Sequence, residues 1–302
     1  MSESLNINMS SRGIMKCCDV YSITPISSIK VLHDYKKFKQ NERIHTIYVC
    51  SSALNHFITV ALPTIHTRFI LVSGDCDETM PYDLFKTQKE FNDFVKNPNI
   101  VHWFCQNWVG NHPKVTLMPI GLDYHTMSSN TTDWGTITPP DIQETLLSEV
   151  YKKSSPFYER DISCYANFQF LTTTRYGNDR IDAINKINKD LVFYEENKIP
   201  RLNTWINQTN HAFVISPHGN GLDCHRTWEA LALGCIPIVK TSAIDNLYKN
   251  LPVLIVNDWS DVTKEKLLET ITVFKNTRFN YNKLKLHYWK NLINKYKYIV
   301  NK

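Results

Sequence analysis

The feature that most constrains the fold is an alternation of short apolar runs with longer amphipathic stretches along most of the 302 residues. Runs such as RFILVSG and HAFVISP have the length and composition of buried strands, whereas the intervening stretches have helical spacing. Strands that alternate with helices predict parallel sheets covered by helices on both faces. A chain of this length can hold two such units. We therefore predict an α/β protein with two Rossmann-like lobes whose parallel sheets face a central cleft, where ligands of such sheets bind.

A polar stretch rich in turn-forming residues, at about 126–140, is the best candidate for the boundary between the lobes. We predict a disordered N-terminus over residues 1–13, an N-terminal lobe over 14–135 and a C-terminal lobe over 136–280. A last helix over 281–302 is expected to pack back toward the N-terminal lobe.

The composition indicates a globular protein, because 42% of the residues are hydrophobic and charged residues are spread along the chain. The net charge of +5 is small, and much of the excess lies in the C-terminal stretch KLKLHYWKNLINKYKYIVNK. A solvated helix face explains that stretch better than a membrane or nucleic-acid surface. The chain also lacks the signatures of common nucleic-acid-binding modules, so we expect no nucleic-acid partner.

The eight cysteines form no CxxC pair and no Cys/His cluster at zinc spacing, which is typical of reduced core residues. The N-terminus has no apolar segment of the kind found in signal peptides, and no run of about 18 apolar residues occurs. These patterns predict no membrane span and a cytoplasmic location. The sequence does not predict the oligomeric state.

The segment that follows HAFVISP has the pattern of an anion site. The apolar run ends at Pro217, and the flexible turn of Gly219, Asn220 and Gly221 precedes a helix that Asp223 is expected to cap. Glycines let the backbone approach a pyrophosphate, and the N-terminus of the helix favours negative charge. The turn alone is weakly specific, since such turns are common.

The helix after the turn makes the pattern more specific. Arg226 and Glu229 share one face, while Trp228, Leu231 and Cys235 lie on another. An arginine in the first turn can bind phosphate oxygens, and a carboxylate one turn later can accept hydrogen bonds from both ribose hydroxyls. The alternative is a surface ion pair between Arg226 and Glu229, which the apolar flanks of the helix disfavour.

The string SPHGNGLDCHRTWEALALGCIPIV resembles the C-terminal nucleotide-binding signature of exostosin-like glycosyltransferases, and the likeness continues to about Val256. It covers about a third of the chain. The resemblance implies a GT-B fold, a nucleotide-sugar donor in the C-terminal lobe with UDP as the default nucleotide, a glycan acceptor on the N-terminal side, and inversion at the anomeric carbon. It also implies that Arg226 meets the diphosphate and Glu229 the ribose. The expected donor-binding residues further include Ser216, His218, Gly219, Asn220, Gly221 and His225.

Arg175 and Arg180 flank a loop that would face the donor in a GT-B lobe, so one of them is a candidate second clamp on the phosphates. The alternative is that both are solvated and that Asp179 pairs with either. His218 and His225 flank the glycine turn and could donate to phosphate oxygens, although a histidine at a helix start is often structural.

An inverting transfer needs a base on the acceptor side that takes the proton of the acceptor hydroxyl. Asp75 and Asp77 follow a buried strand, and we favour Asp75 and then Asp77 for this catalytic role. Asp123 and His125 follow another strand and remain candidates. Loop capping is the alternative for each of the four.

Asp75 and Asp77 also form an Asp-x-Asp pattern, which GT-A glycosyltransferases use to hold a divalent metal against the sugar diphosphate. A GT-A fold would leave the glycine turn and its helix unexplained, so we expect catalysis without a metal or other cofactor. Two alternatives stay open, a metal-dependent GT-A-like enzyme and a non-catalytic module that binds nucleotide sugars.

Overall fold

The structure is a computed structural model that describes residues 3–22, 43–129, 131, 134–169, 173–195 and 197–299. Within these residues the first lobe contains four parallel strands that neighbour one another in chain order. An irregular helical segment at 51–64 connects the first two strands, a helix connects the second to the third, and a loop connects the third to the fourth. The elements are β1 His45–Cys50, β2 Phe69–Gly74, β3 Ile100–Cys105 and β4 Val115–Leu117, with α1 Ser11–Lys16 before them and α2 Gln88–Val95 between β2 and β3.

A long helix, α3 (Pro140–Lys153), leads into the second lobe. The described part of that lobe has five parallel strands, and their order across the sheet is second, first, third, fourth and fifth along the chain. The chain ends in a helix that returns to the first lobe. In chain order the elements are β5 Asp161–Ala166, α4 Gly177–Lys186, β6 Val192–Tyr194, α5 Arg201–Gln208, β7 His211–Ile215, α6 His225–Ala232, β8 Ile236–Lys240, β9 Leu254–Val256, α7 Lys264–Lys275 and α8 Leu286–Ile299.

Most strand residues are buried because helices cover both faces of each sheet. Every residue of β1 and β2 is buried, for example. One buried cluster joins the lobes and includes Tyr48 and Phe104 of the first lobe, Val214 and Trp228 of the second, and Trp289 of α8. Two further clusters fill the outer sides of the sheets. The predicted α/β fold, with two lobes of parallel strands that face a cleft, is confirmed.

The prediction of a disordered N-terminus is wrong for residues 3–13, while residues 1–2 lie outside the described part of the chain. Met9 and Ser10 are buried. The amide of Met9 donates to the Leu284 carbonyl at 2.8 Å, and the Met9 carbonyl accepts from Leu122 N–H at 2.8 Å. The segment is polar in sequence, but it satisfies its backbone groups on parts of the chain that are far away in sequence.

Helix α3 was not predicted, and it begins at the end of the proposed boundary at 126–140. Its buried face carries Leu147 and Val150, and Glu144 accepts from the amides of Ile7 and Asn8 at 2.8 Å each. A proline at its first position is compatible with a helix start, because that N–H has no partner within the helix. Positions 130, 132 and 133 of the predicted boundary lie outside the described residues.

The predicted last helix is divided into a short turn at Tyr281–Leu284 and α8, and residues 300–302 lie outside the described part. Helix α8 packs on the first sheet, where the ring of Tyr296 lies 3.9 Å from that of His102 and 5.5 Å from that of Phe104, measured between centroids. Among the described helices, none is both long enough and apolar enough to cross a membrane.

Candidate functional site

A cleft of about 450 Å³ lies between the lobes, where loops leave the carboxyl ends of strands of both sheets. Its volume is in the range of small-molecule sites, which is about 300–1,000 Å³. Most of the residues singled out in the sequence line this cleft together. They are Asp75, Asp77, Asp123, His125, Arg180, Gly219, Asn220, Gly221, His225, Arg226 and Glu229.

The two glycines of the turn are needed for space. Neither has φ in the left-handed region. A Cβ at Gly219 would lie 3.0 Å from Arg180 Nη2, and a Cβ at Gly221 would lie 3.0 Å from Asn107 Nδ2 and 3.2 Å from Asp77 Oδ1. The glycines therefore let an arginine and the first lobe come close to the backbone of the turn.

Two guanidinium groups lie beside the turn. Nη1 of Arg226 donates to the carbonyl of Pro217 at 3.1 Å and to Ser216 Oγ at 3.4 Å, and its guanidinium lies 5.5 Å from the centroid of the Phe168 ring. Burial lowers the pKa of Arg226, and the positive charge of Arg180 acts in the same direction. The arginine nevertheless stays charged, so this corner of the cleft concentrates positive charge at the N-terminus of α6.

Glu229 lies one turn along α6 on the face of Arg226, while Trp228 and Leu231 are buried on the other side. Its Oε1 is 3.9 Å from Nε of Arg201 on α5. Burial raises the pKa of Glu229, and the charge of Arg201 partly offsets that effect. The carboxylate thus pairs with a largely buried arginine of the same lobe, and not with Arg226 on the helix surface.

The facing wall carries a histidine and a carboxylate in contact. Nδ1 of His125 is 3.2 Å from Oδ1 of Asp123, whose Oδ2 accepts from Arg201 Nη2 at 3.2 Å. Burial acts to raise the pKa of Asp123, but the charges of His225, His125 and Arg201 hold it well below its usual range. Burial lowers the pKa of His125 and outweighs the opposite effect of Asp123. An Nδ1–H that donates to Asp123 leaves Nε2 of His125 as the basic nitrogen.

The carboxylates of Asp75 and Asp77 have different partners. Asp75 accepts from Ser11 Oγ at 2.8 Å and from Arg12 Nε at 3.2 Å, so each of its oxygens has a donor. Asp77 is exposed and accepts from Asn220 Nδ2 at 3.2 Å, across the cleft. Among the described residues, no three His, Cys, Asp or Glu side chains are grouped so as to hold a metal ion.

Three predicted donor-binding residues are not among those that line the cleft. The exposed Arg175 forms an ion pair with Asp83 of the first lobe. His218 is buried and its Nδ1–H donates to the Leu222 carbonyl at 2.9 Å. The Oγ of Ser216 accepts a hydrogen bond from Arg226 at 3.4 Å. The His218 and Ser216 side chains therefore support the turn, and of the two candidate clamps only Arg180 lines the cleft.

The sequence predicts Asp179 as a partner of a nearby arginine and Asp223 as a helix cap, but both carboxylates have other hydrogen-bond partners. Asp179 accepts from the His218 amide at 2.8 Å and from Trp259 Nε1 at 2.7 Å. Asp223 makes no capping bond to α6. It accepts from the Ile120 amide and from Trp228 Nε1, both at 2.7 Å, and burial raises its pKa to about 6. Asp223 therefore links the second lobe to the first through its hydrogen bond with the Ile120 amide.

The sequence interpretation missed several residues of the cleft, among them Arg201, Trp134 and Phe168. Arg201 is the first residue of α5, and its guanidinium lies 5.6 Å from the centroid of the Trp134 ring. Positive charge at a helix N-terminus is unfavourable unless a negative charge lies nearby. The position of Arg201 at the start of a helix therefore indicated that it has a carboxylate partner. Trp134 and Phe168 lie in loops, where no sequence pattern indicates that a side chain lines the cleft.

No family model matches the chain, and no curated protein matches it in sequence. Solved structures do match in shape. One of them is an E. coli trehalose-6-phosphate structure bound with UDP-2-fluoro glucose, with a TM-score of 0.42, 10% identity, and coverage of 89% of this chain and 76% of that chain. That likeness is too low to support a residue-level comparison, so the function must be inferred from the cleft itself.

Proposed function

We propose that this protein is an inverting glycosyltransferase that moves a sugar from a nucleotide sugar to a hydroxyl group of a glycan. The observation that carries the proposal is the pair of guanidinium groups of Arg180 and Arg226 beside a glycine turn and a helix N-terminus, opposite the contact of His125 with Asp123. The resemblance of residues 216–239 to exostosin-like glycosyltransferases supports UDP as the nucleotide.

The donor's diphosphate fits the corner formed by Arg180, Arg226 and the turn at Gly219. Two neighbouring cations repel each other, and an anion between them removes that repulsion while it gains charge-assisted hydrogen bonds. The amides at the start of α6 add to the attraction. Glu229, one turn farther along, is in position to accept hydrogen bonds from ribose hydroxyls.

The base is better assigned to His125 than to Asp75, which the sequence favours. The carboxylate oxygens of Asp75 already accept hydrogen bonds from Ser11 and Arg12, whereas a neutral His125 oriented by Asp123 offers a basic Nε2. In the transfer, the acceptor oxygen bonds to the anomeric carbon as the bond from that carbon to the phosphate oxygen breaks. The proton of the hydroxyl goes to Nε2, and the arginines stabilise the negative charge of the departing diphosphate.

The test is a panel of UDP-, GDP- and dTDP-sugars measured by thermal stabilisation and by slow donor hydrolysis. A ligand that binds the folded state alone raises the melting temperature in proportion to the logarithm of its concentration. Sugar phosphates without a nucleotide are the matched controls. We expect a shift with one nucleotide series and hydrolysis of its sugar. Stabilisation without turnover, with glycan acceptors present, would instead favour a non-catalytic binding module.

We further propose that the transfer needs no metal ion, because guanidinium groups and a helix N-terminus supply positive charge to the diphosphate. The different partners of Asp75 and Asp77 support this. Activity should survive EDTA. Abolition by EDTA and recovery with manganese would identify the metal-dependent alternative.

A further inference from the structure

Two cysteine sulfurs meet on the first-lobe side of the cleft. Sγ of Cys50 is 3.2 Å from Sγ of Cys76, and both residues are free thiols. Cys50 ends β1, and Cys76 follows the neighbouring strand β2, in which Gly74 is the register partner of Cys50. Adjacent parallel strands therefore bring together two residues that are 26 positions apart in sequence.

The two thiols differ in access. Cys76 lines the cleft between Asp75 and Asp77 and is partly exposed, so a small solute that enters the cleft can reach its sulfur. Cys50 is buried behind it. An accessible sulfur with a second sulfur in contact behind it is the arrangement of an attacking and a resolving cysteine.

We propose that Cys50 and Cys76 form an oxidation site at which a hydroperoxide converts the two thiols into a disulfide bond. The Cys76 thiolate attacks the peroxide oxygen, the O–O bond breaks, and Cys76 becomes a sulfenic acid as an alcohol or water leaves. The Cys50 sulfur then attacks the Cys76 sulfur, and water leaves as the S–S bond forms. Two thiols are oxidised, the peroxide is reduced, and the hydrogen atoms of both thiols end in the products.

The surroundings favour Cys76 as the attacking residue. The hydrogen bond from the Cys50 thiol lowers the pKa of Cys76 by stabilising its thiolate. That same contact raises the pKa of Cys50. Cys224 also lines the cleft, but burial raises the pKa of its thiol, and Cys105 is fully buried. The thiolate is the reactive form, so Cys76 should react first.

The bond would alter the site, because a disulfide has an S–S length of about 2.05 Å and the sulfurs must approach by about 1 Å. Gln106 ties the loop together, since its Oε1 accepts from the Asp75 amide at 2.9 Å and its Nε2 donates to the Cys76 carbonyl at 3.0 Å. A shift of Cys76 therefore moves both neighbouring aspartates. Through the hydrogen bond of Asp77 with Asn220 it also reaches the glycine turn.

The bond itself is tested by peptide mass mapping of the full chain after treatment with hydrogen peroxide and alkylation with N-ethylmaleimide. We expect a linked Cys50–Cys76 peptide that lacks two hydrogen atoms and disappears with dithiothreitol. The matched control Cys105→Ser should form it equally. In Cys50→Ser, which lacks the resolving thiol, dimedone should label Cys76 as a sulfenic acid. If Cys76 in the treated wild-type protein stays open to alkylation or pairs with Cys224, the proposal is wrong.

The consequence for donor binding rests on the proposed function and has its own readout. Oxidised wild-type protein should hydrolyse the donor about tenfold more slowly, because a displacement of about 1 Å is costly at such a site, and dithiothreitol should restore the rate. A linked peptide with an unchanged rate would refute the coupling to the cleft. A linked peptide in a protein that no nucleotide sugar stabilises would leave the oxidation site in place and refute the transferase.

Discussion

The two walls of the cleft are encoded differently in the sequence. The wall of the second lobe is largely contiguous, because β7, the glycine turn and the first turns of α6 all fall within residues 211–229. The facing wall depends on partners that are far apart in sequence. Ser11 and Asp75 are 64 positions apart, and Asp123 and Arg201 are 78 apart.

Because of this difference, we expect the two walls to respond differently to substitutions. Spacing within one strand-turn-helix unit sets the position of Arg226, so the unit should bind an anion whenever the second lobe is folded. The facing wall is correct only when the N-terminal segment, the first sheet and α5 are all in place. Substitutions in the two walls should therefore differ in their effects on nucleotide affinity, turnover and stability.

The largest effect is expected for Arg226→Ala. It removes the guanidinium that lies beside the glycine turn, and the loss of a positioned charge of this kind lowers kcat/KM by about a thousandfold. The measurement is initial rates of donor turnover together with nucleotide affinity. Arg278→Ala, an exposed arginine of the second lobe, is the matched control and should keep both values. Equal activity of the two variants would contradict the assignment of the diphosphate site.

His125→Ala tests the facing wall and should lower kcat by about a hundredfold or more while nucleotide affinity stays close to that of the wild type. Its pKa lies below the ordinary value of 6.5, so the neutral, basic form is present at neutral pH. In the wild type, kcat/KM should stay level at neutral pH and fall as the pH is lowered through the pKa of His125.

Asp75→Asn and Asp77→Asn are the comparison for that experiment. If Asp75→Asn causes the larger loss of kcat and His125→Ala keeps the acid limb of the pH profile, the base is the carboxylate that the sequence favours.

The fold followed from the sequence because apolar runs and helical spacing are local signals. The strands Phe69–Gly74 and His211–Ile215, for example, lie within the runs RFILVSG and HAFVISP. The positions of Arg226 and Glu229 followed from helical geometry in the same way. The docking of residues 3–13, helix α3 and the role of Arg201 did not, because each depends on a partner more than 70 positions away, such as Glu144 or Asp123. A single sequence carries no record of such pairs.

Asp223→Ala tests the hydrogen-bonded contact between the two lobes and should lower the free energy of unfolding by roughly 2 kcal/mol. The variant leaves the buried Ile120 amide and the Trp228 indole N–H without their acceptor. Removal of a buried carboxyl group, whose pKa is raised to about 6, offsets part of that loss. Urea unfolding of both proteins measures the difference. Asp190→Ala, at an exposed position of the same lobe, is the control. An unchanged free energy of unfolding for Asp223→Ala would mean that the lobes are held together by other contacts.

The smallest effect is expected for Ser11→Ala, which removes one hydrogen bond to Asp75 and leaves the ion pair with Arg12 in place. A single hydrogen bond of this type contributes about 1 kcal/mol, so kcat/KM should fall by about fivefold or less with little change in stability. The informative quantity is the coupling between Ser11→Ala and Asp75→Asn in a double-mutant cycle, because coupling isolates the contact between the N-terminal segment and the cleft. Ser129→Ala, an exposed serine of the first lobe, should show no coupling with Asp75→Asn. Zero coupling for Ser11 as well would mean that the N-terminal segment packs beside the facing wall without contributing to the site. The difference between the two walls would then rest on the contact of Asp123 with Arg201 alone.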